Sequence, residues 1–103
     1  MDLVKIPFKP DFKDLMLRGQ KTATSRTKKY GEVGDKFVAF GQIFVITDIQ
    51  KFVLGIIATY HYEAEGFDNP KEFEKCWAKL HPRKGFDPYQ YVFYHSFKAE
   101  ESA

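Results

Sequence analysis

Gly19-Gln20-Lys21-Thr22-Ala23-Thr24-Ser25-Arg26 is the stretch on which the fold turns. Just upstream, Phe12, Leu15 and Met16 fall at three-to-four spacing, with Asp11 and Asp14 toward the start and Arg18 at the end. That pattern predicts a short amphipathic helix over Asp11 to Leu17, closed by Gly19. Downstream, the small and β-branched residues from Thr22 read as a strand. The octapeptide is thus a helix-to-strand junction that gathers an amine, hydroxyls and a guanidinium within a few residues.

The chemistry of this junction is constrained by geometry and by charge. A threonine hydroxyl needs a neighbouring base to take its proton, and Lys21 is the nearest candidate to Thr24. In a regular strand the two point to opposite faces, whereas Thr22, Thr24 and Arg26 share one. For Lys21 to meet Thr24, the lysine has to sit in an irregular turn after Gly19, which glycine permits. With its usual pKa near 10.4, only about four lysines in ten thousand are neutral at pH 7. Burial, or a like charge such as Arg26, shifts it toward the neutral form; a carboxylate opposes that shift. The plainer reading of the same residues is a β-edge with a solvated Lys and Arg.

Working outward, Leu3 to Phe8 alternates weakly, with Pro7 and Pro10 at its end, and is expected to form a short edge strand. The helix after it is expected to plug an open end of a barrel. Tyr30 to Asp35, with two glycines, reads as a turn into a strand from Lys36 to Phe40. Gly41-Gln42 then makes a tight hairpin into a long strand from Ile43 to about Phe52, and these two strands are expected at the centre of the barrel. Leu54 to Ala64 fits either helix or strand; helix is chosen, with Ile56, Ile57, Tyr60 and Ala64 on its face and Gly66 ending it. Glu65 then stands at a helix C-terminus, where the dipole disfavours a carboxylate. The next helix is signalled by Asn69 as N-cap, Pro70 at the first position and Glu72 three residues after the cap. Phe73, Cys76, Trp77 and Leu80 are its expected buried stripe and Pro82 its stop. A last strand is expected from Tyr89 to Phe97, with Tyr89, Tyr91, Phe93 and Phe97 on one face, and residues 98–103 as a frayed tail.

The chain of 103 residues suits one domain, read here as 1–103. Apolar residues make up 44%, with 11 Phe, 6 Tyr and 1 Trp, which excludes disorder and supplies large core side chains. No apolar run is long enough to span a membrane and no leader is evident. The single cysteine, Cys76, cannot form an internal disulfide, and a cytoplasmic setting is expected. A net charge of +2 decides little, but Lys21, Arg26, Lys28 and Lys29 form an acid-free cationic run. Such a run either holds phosphates or is a solvated basic loop. His61, Cys76, His81 and His95 match no compact ligand spacing, so no metal site is expected. Strands interleaved with a few helices predict an α+β fold built on a mixed or antiparallel barrel.

The pattern Gly19-x-Lys21-x-x-Thr24-x-Arg26, followed by Gly34-Asp35 before an apolar run, Glu65-Gly66-Phe67, a helix with Trp77 and a closing aromatic strand, resembles the ASCH family. The resemblance covers roughly residues 3 to 98. It implies a small PUA-like β-barrel with two or three helices packed at its ends. Within the family the chain is most similar to small amidohydrolases that deacetylate N4-acetylcytidine. That likeness implies Lys21 as proton acceptor, Thr24 as nucleophile and Glu65 as proton donor, with Glu63 the neighbouring alternative to Glu65. No cofactor is implied. Arg26 is expected to orient substrate; Lys28 and Lys29 are expected on phosphates, and Tyr30 and Phe67 on a base. The implied partners are a modified cytosine nucleoside or single-stranded RNA, without DNA specificity and without a membrane. The alternatives are a non-catalytic RNA-binding module and a ribonuclease of the same family.

Overall fold

The computed structural model describes residues 3–101. Four antiparallel strands, β1 (Ala23–Arg26), β2 (Lys36–Ala39), β3 (Gln42–Val53) and β4 (Tyr91–Ala99), form one sheet in the order β1-β4-β3-β2, curled into a half-barrel. Three helices, α1 (Lys13–Leu17), α2 (Leu54–Tyr60) and α3 (Pro70–Leu80), complete the α+β fold. Among the described residues, no helix is long and apolar enough to cross a membrane.

Both faces of the central strand β4 are covered, and this sets the architecture. Val92 and Tyr94 join Ala23 of β1 and Leu54, Ile57, Phe73 and Trp77 from α2 and α3 in one core. Phe97 joins Phe37, Phe44, Ile46 and Met16 in a second. Since side chains alternate along a strand, even-numbered and odd-numbered residues of β4 serve different cores. Strand β3 manages the same with a bulge: Ile46 pairs with Phe97 and Asp48 with Ser96, leaving Thr47 as the extra residue. The extra residue reverses the alternation, so Ile46 and Ile49 share the second core while Phe52 packs on the first.

Several boundaries differ from the sequence-based expectations, each for a local reason. The expected first strand reduces to one parallel bridge, Leu3 to Lys36, with Val4 N–H donating to Lys36 O at 2.8 Å. The central pair is β3 and β4 rather than β2 and β3, because β4 returns between β1 and β3 and leaves β2 at the edge. The hairpin turn is Phe40-Gly41, one residue earlier than expected, with both residues at positive φ (53° and 79°) as a two-residue turn of this twist demands. Helix α2 stops at Tyr60, and His61 turns inward to stack against Phe52 and Tyr94. Its buried residues are Leu54, Ile57 and Ala58, whereas Ile56 and Tyr60 are exposed. Tyr89 and Tyr91 are exposed as well, because the expected face of the last strand is the uncovered one at that end. Strand β4 runs on through Lys98 and Ala99, and Glu100 N–H donates to Ile43 O while its carboxylate meets Lys36, so the expected tail is paired to residue 100. Ser102 and Ala103 lie outside the described residues.

The helix signals of α3 translate directly into bonds: Asn69 Oδ1 accepts from Glu72 N–H at 2.9 Å, with Pro70 at the first position. Phe73 and Trp77 are buried, while Cys76 is half-buried and Leu80 exposed.

Phe37 is fully buried and stacked on Phe44, with Phe97 edge-on to it. Phe37→Ala is expected to cost about 3–5 kcal/mol, read as a lower urea midpoint at unchanged m-value; a loss under about 1 kcal/mol would show that this core collapses around the gap.

Candidate functional site

The site begins with the backbone that ends α1. Gly19, at φ 75°, turns the chain out of the helix, and the N–H groups of Gln20 and Lys21 both donate to Leu15 O, at 2.8 and 2.9 Å. That left-handed glycine ending drives Lys21 inward. A second segment arrives from 44 residues downstream. The turns after α2 present Ala64 O to the N–H groups of Thr22 and Ala23, at 2.7 and 3.0 Å, and so dock Glu65 beside Lys21. Gly66 permits this close docking. Its φ is 101°, and a Cβ there would lie 3.3 Å from both Lys21 Cβ and Leu15 Cδ1.

At the centre stands the Glu65 carboxylate, 3% exposed as a residue. Lys21 Nζ, equally buried, donates to Glu65 O at 2.8 Å and lies 3.3 Å from Oε1. Ser25 Oγ donates to Oε2 at 2.5 Å. Thr24, also buried, uses its Oγ1 differently and accepts from Arg26 Nε at 3.0 Å. Arg26 in turn donates to Pro7 O at 2.6 Å, with its guanidinium 4.8 Å from the Phe8 ring.

Register explains the split. Ser25 is opposite Tyr94, and Ala23 shares its face, toward α2, α3 and the Glu65 turn. Thr24 is opposite His95 and Arg26 opposite Phe93, on the other face. The alternation predicted for this strand therefore holds back to Lys21, which joins Ser25 rather than Thr24. Ser25 was missed in the sequence reading, although period two starting from Lys21 points to it. Glu65, by contrast, does stand beside Lys21. It does so from a turn five residues past the end of α2, so the helix-dipole argument for it lapses.

A cavity of about 430 Å³ opens onto these groups. Lys21, Thr24, Ser25, Arg26 and Glu65 line it, and so do Lys28, Tyr30 and Phe67 from the sequence-predicted set. Lys29 does not: it pairs with Glu32 at 2.8 Å and borders a separate, smaller depression. Of the expected cationic run, Lys21 is buried and Arg26 anchored, leaving Lys28 at the mouth with its Nζ 5.1 Å from the Tyr30 ring. Trp77, with His81 stacked on it at 4.1 Å, and Cys76 form the wall contributed by α3. Cys76 and Leu80 thus face the cavity rather than the core expected for them.

Electrostatics follow from burial. Desolvation pulls the Lys21 pKa below its usual value, with Arg26 adding to the effect and Glu65 opposing it. Burial likewise raises the Cys76 thiol and pushes the Tyr94 hydroxyl up to about 12. His95 is wholly buried beneath the site; its Nε2 accepts from Tyr30 N–H at 2.9 Å and its Nδ1 lies 3.2 Å from Thr24 O. An acceptor at Nε2 and a donor at Nδ1 define the neutral ring, and burial lowers its pKa accordingly. Among the described residues, no group of three or more His, Cys, Asp or Glu side chains is arranged to hold a metal ion.

With this curled antiparallel sheet and its three helices, the chain has the fold of the ASCH-domain proteins. It is similar to the ASCH domain of Lactobacillus crispatus with a TM-score of 0.70 at 16% identity, covering 95% of this chain and 78% of the other. To a Tyr-to-Phe variant of an ASCH protein from Zymomonas mobilis the TM-score is 0.66 at 13% identity, over 93% and 68% of the two chains. A hypothetical protein aligns over 97% of this chain and 100% of its own, with a TM-score of 0.74 at 14% identity. No family model and no curated protein matches the sequence.

Lys21→Met strands the Glu65 carboxylate and is expected to cost about 3–5 kcal/mol; the double variant Lys21→Met/Glu65→Leu recovers much of that loss in chemical denaturation, and a double variant as unstable as the sum of the singles contradicts the pairing. For His95, the neutral ring is favoured in the fold while the unfolded chain protonates at about its ordinary 6.5. Its contribution is therefore full above that value and is lost as pH falls below it. His95→Gln, which keeps an acceptor and a donor without titrating, is expected to flatten the fall in melting temperature between about pH 7 and pH 5; an unchanged slope would place the acid sensitivity elsewhere.

Proposed function

We propose that this chain is a metal-independent hydrolase that removes the acyl group from the exocyclic amine of an acylated cytosine nucleoside, N4-acetylcytidine or a close relative. The observation that carries the reading is the buried Lys21–Glu65 pair with hydroxyls beside it at the wall of a nucleoside-sized cavity. Two desolvated ionisable groups in contact are poor stabilisers of a fold and good instruments of proton transfer.

The reaction requires a hydroxyl to attack the acyl carbon, a base for its proton and an acid for the departing amine. The sequence motif gives these roles to Thr24, Lys21 and Glu65. In that scheme a proton passes from Lys21 Nζ to Glu65 Oε1, creating the free amine and the carboxylic acid together. Arg26 faces the carbonyl oxygen, where negative charge develops. Tyr30 and Phe67 supply flat surfaces for the base. A lone cysteine, half-buried at the cavity, suits a reducing cytoplasmic setting.

A second reading is single-stranded RNA binding at the same mouth, favoured by Lys28 beside Tyr30 and by Lys9 and Arg26 on the rim. It predicts affinity that falls steeply with salt; a salt-independent affinity, or no retention at low ionic strength, counts against it.

Purified protein incubated with N4-acetylcytidine is expected to release cytidine, with kcat/KM lowered about 100-fold or more in Glu65→Gln and in Lys21→Ala. Circular dichroism of each variant is the check that it remains folded. Absence of turnover by the wild-type chain, or full turnover in either folded variant, would overturn the assignment.

A further inference from the structure

We infer that Ser25 is the nucleophile of this site and that Glu65 is its base. The inference rests on the hydrolytic reading above and moves the attack from Thr24 to its neighbour.

A nucleophile is recognised by a base within hydrogen-bond reach and by a third group that orients the base. Ser25 Oγ donates to Glu65 Oε2 at 2.5 Å, and Lys21 holds the other carboxylate oxygen from 3.3 Å. These three side chains are buried together, and all of them line the cavity. Thr24 has the opposite arrangement. Its Oγ1 accepts an N–H from the Arg26 guanidinium at 3.0 Å, so a cation draws on the lone pairs that would have to attack. The nearest imidazole, His95, is committed at both nitrogens, to Tyr30 N–H and to Thr24's own carbonyl. Strand register enforces this division, because Ser25 and Thr24 leave β1 on opposite faces.

Charge supports the same choice. Attack by Thr24 through Lys21 needs a neutral lysine in contact with a carboxylate that favours its charged form. Attack by Ser25 uses the pair in its charged form, with Glu65 as the base that already accepts from Ser25 Oγ and Lys21 as the donor that orients it. In the first step a bond forms from Ser25 Oγ to the acyl carbon while the hydroxyl proton passes to Glu65 Oε2. The C–N bond then breaks, and the amine departs with that proton. Water next attacks the acyl-Ser25 ester and gives a proton to Glu65. The Oγ–C bond breaks, the carboxylic acid leaves, and the proton returns to Ser25. The sum is amide plus water to acid plus amine.

The test uses p-nitrophenyl acetate as an acylating probe alongside N4-acetylcytidine, with peptide mass spectrometry to locate the acetyl group. The expected result is a burst of p-nitrophenolate with the adduct on Ser25. The burst persists in Thr24→Val and is absent from Ser25→Ala, where turnover of N4-acetylcytidine falls roughly a thousandfold or more. An adduct on Thr24, or an undiminished burst in Ser25→Ala, overturns the inference and leaves the hydrolytic reading standing. An adduct on Ser25 without cytidine release supports the nucleophile and removes the proposed substrate. With no adduct from either reagent the Ser25 assignment falls, and the hydrolytic reading falls with it when no cytidine is released either.

Discussion

A carboxylate taken out of water between an ammonium and a hydroxyl is the constraint around which this molecule is arranged. Moving each of the two charges out of water costs several kcal/mol even after relaxation, and the chain offsets that with fixed partners rather than solvent. Lys21 Nζ meets both the backbone carbonyl and the carboxylate of Glu65, and Ser25 takes the remaining oxygen. None of these contacts is local in sequence. They form only when the turn after α2 docks on the start of β1 through Ala64 O, and when Gly19 and Gly66 let two backbones approach closely enough. Two glycines and one carbonyl thus hold a pair of charges that the sequence separates by more than forty residues.

The sheet makes this arrangement possible by being covered on both sides. With β4 central and its alternate residues committed to different cores, the short strand β1 lies at the sheet edge. The cavity wraps that edge, which is how side chains from both faces of β1 can line one space. Its walls divide the labour: aromatic rings from Phe8, Phe12, Phe67 and Trp77 keep it apolar, and the polar groups are concentrated at the junction after α1.

Much of the fold was legible because it is encoded in local signals. The Asn69-Pro70-x-Glu72 start of α3, the glycine that ends α1, and the strands flanking Gly41 all depend on bonds within a few residues, and they formed within a residue of where they were expected. The order of strands was not legible, since pairing of β1 with β4 joins residues some seventy apart and no local pattern encodes it. The face of β4 was misread for a related reason: which side is covered at Tyr91 depends on where α2 and α3 pack, and those helices cover the Val92 and Tyr94 side. At the site, Lys21 stood out as the base nearest Thr24 and Glu65 came through a family resemblance, while their meeting is a fact of tertiary docking. Ser25 is instructive in the other direction. The period-two rule applied to Thr24 and Arg26 places Ser25 on the side of Lys21, and only the pull of the motif on Thr24 obscured it. Cys76 and Leu80 fit the helical stripe by spacing, yet they flank a void where a stripe usually meets a core.

Thr47 is the single extra residue in β3. It lets one continuous strand serve the hairpin-end core with Phe44 and Ile46 and then the helix-side core with Phe52. Ile49, beyond the extra residue, still packs on the hairpin-end core, and Phe8, Phe12 and Tyr30 of that same core line the cavity. A change of side-chain size at Phe37 or Phe44 is therefore transmitted through those rings to the cavity wall.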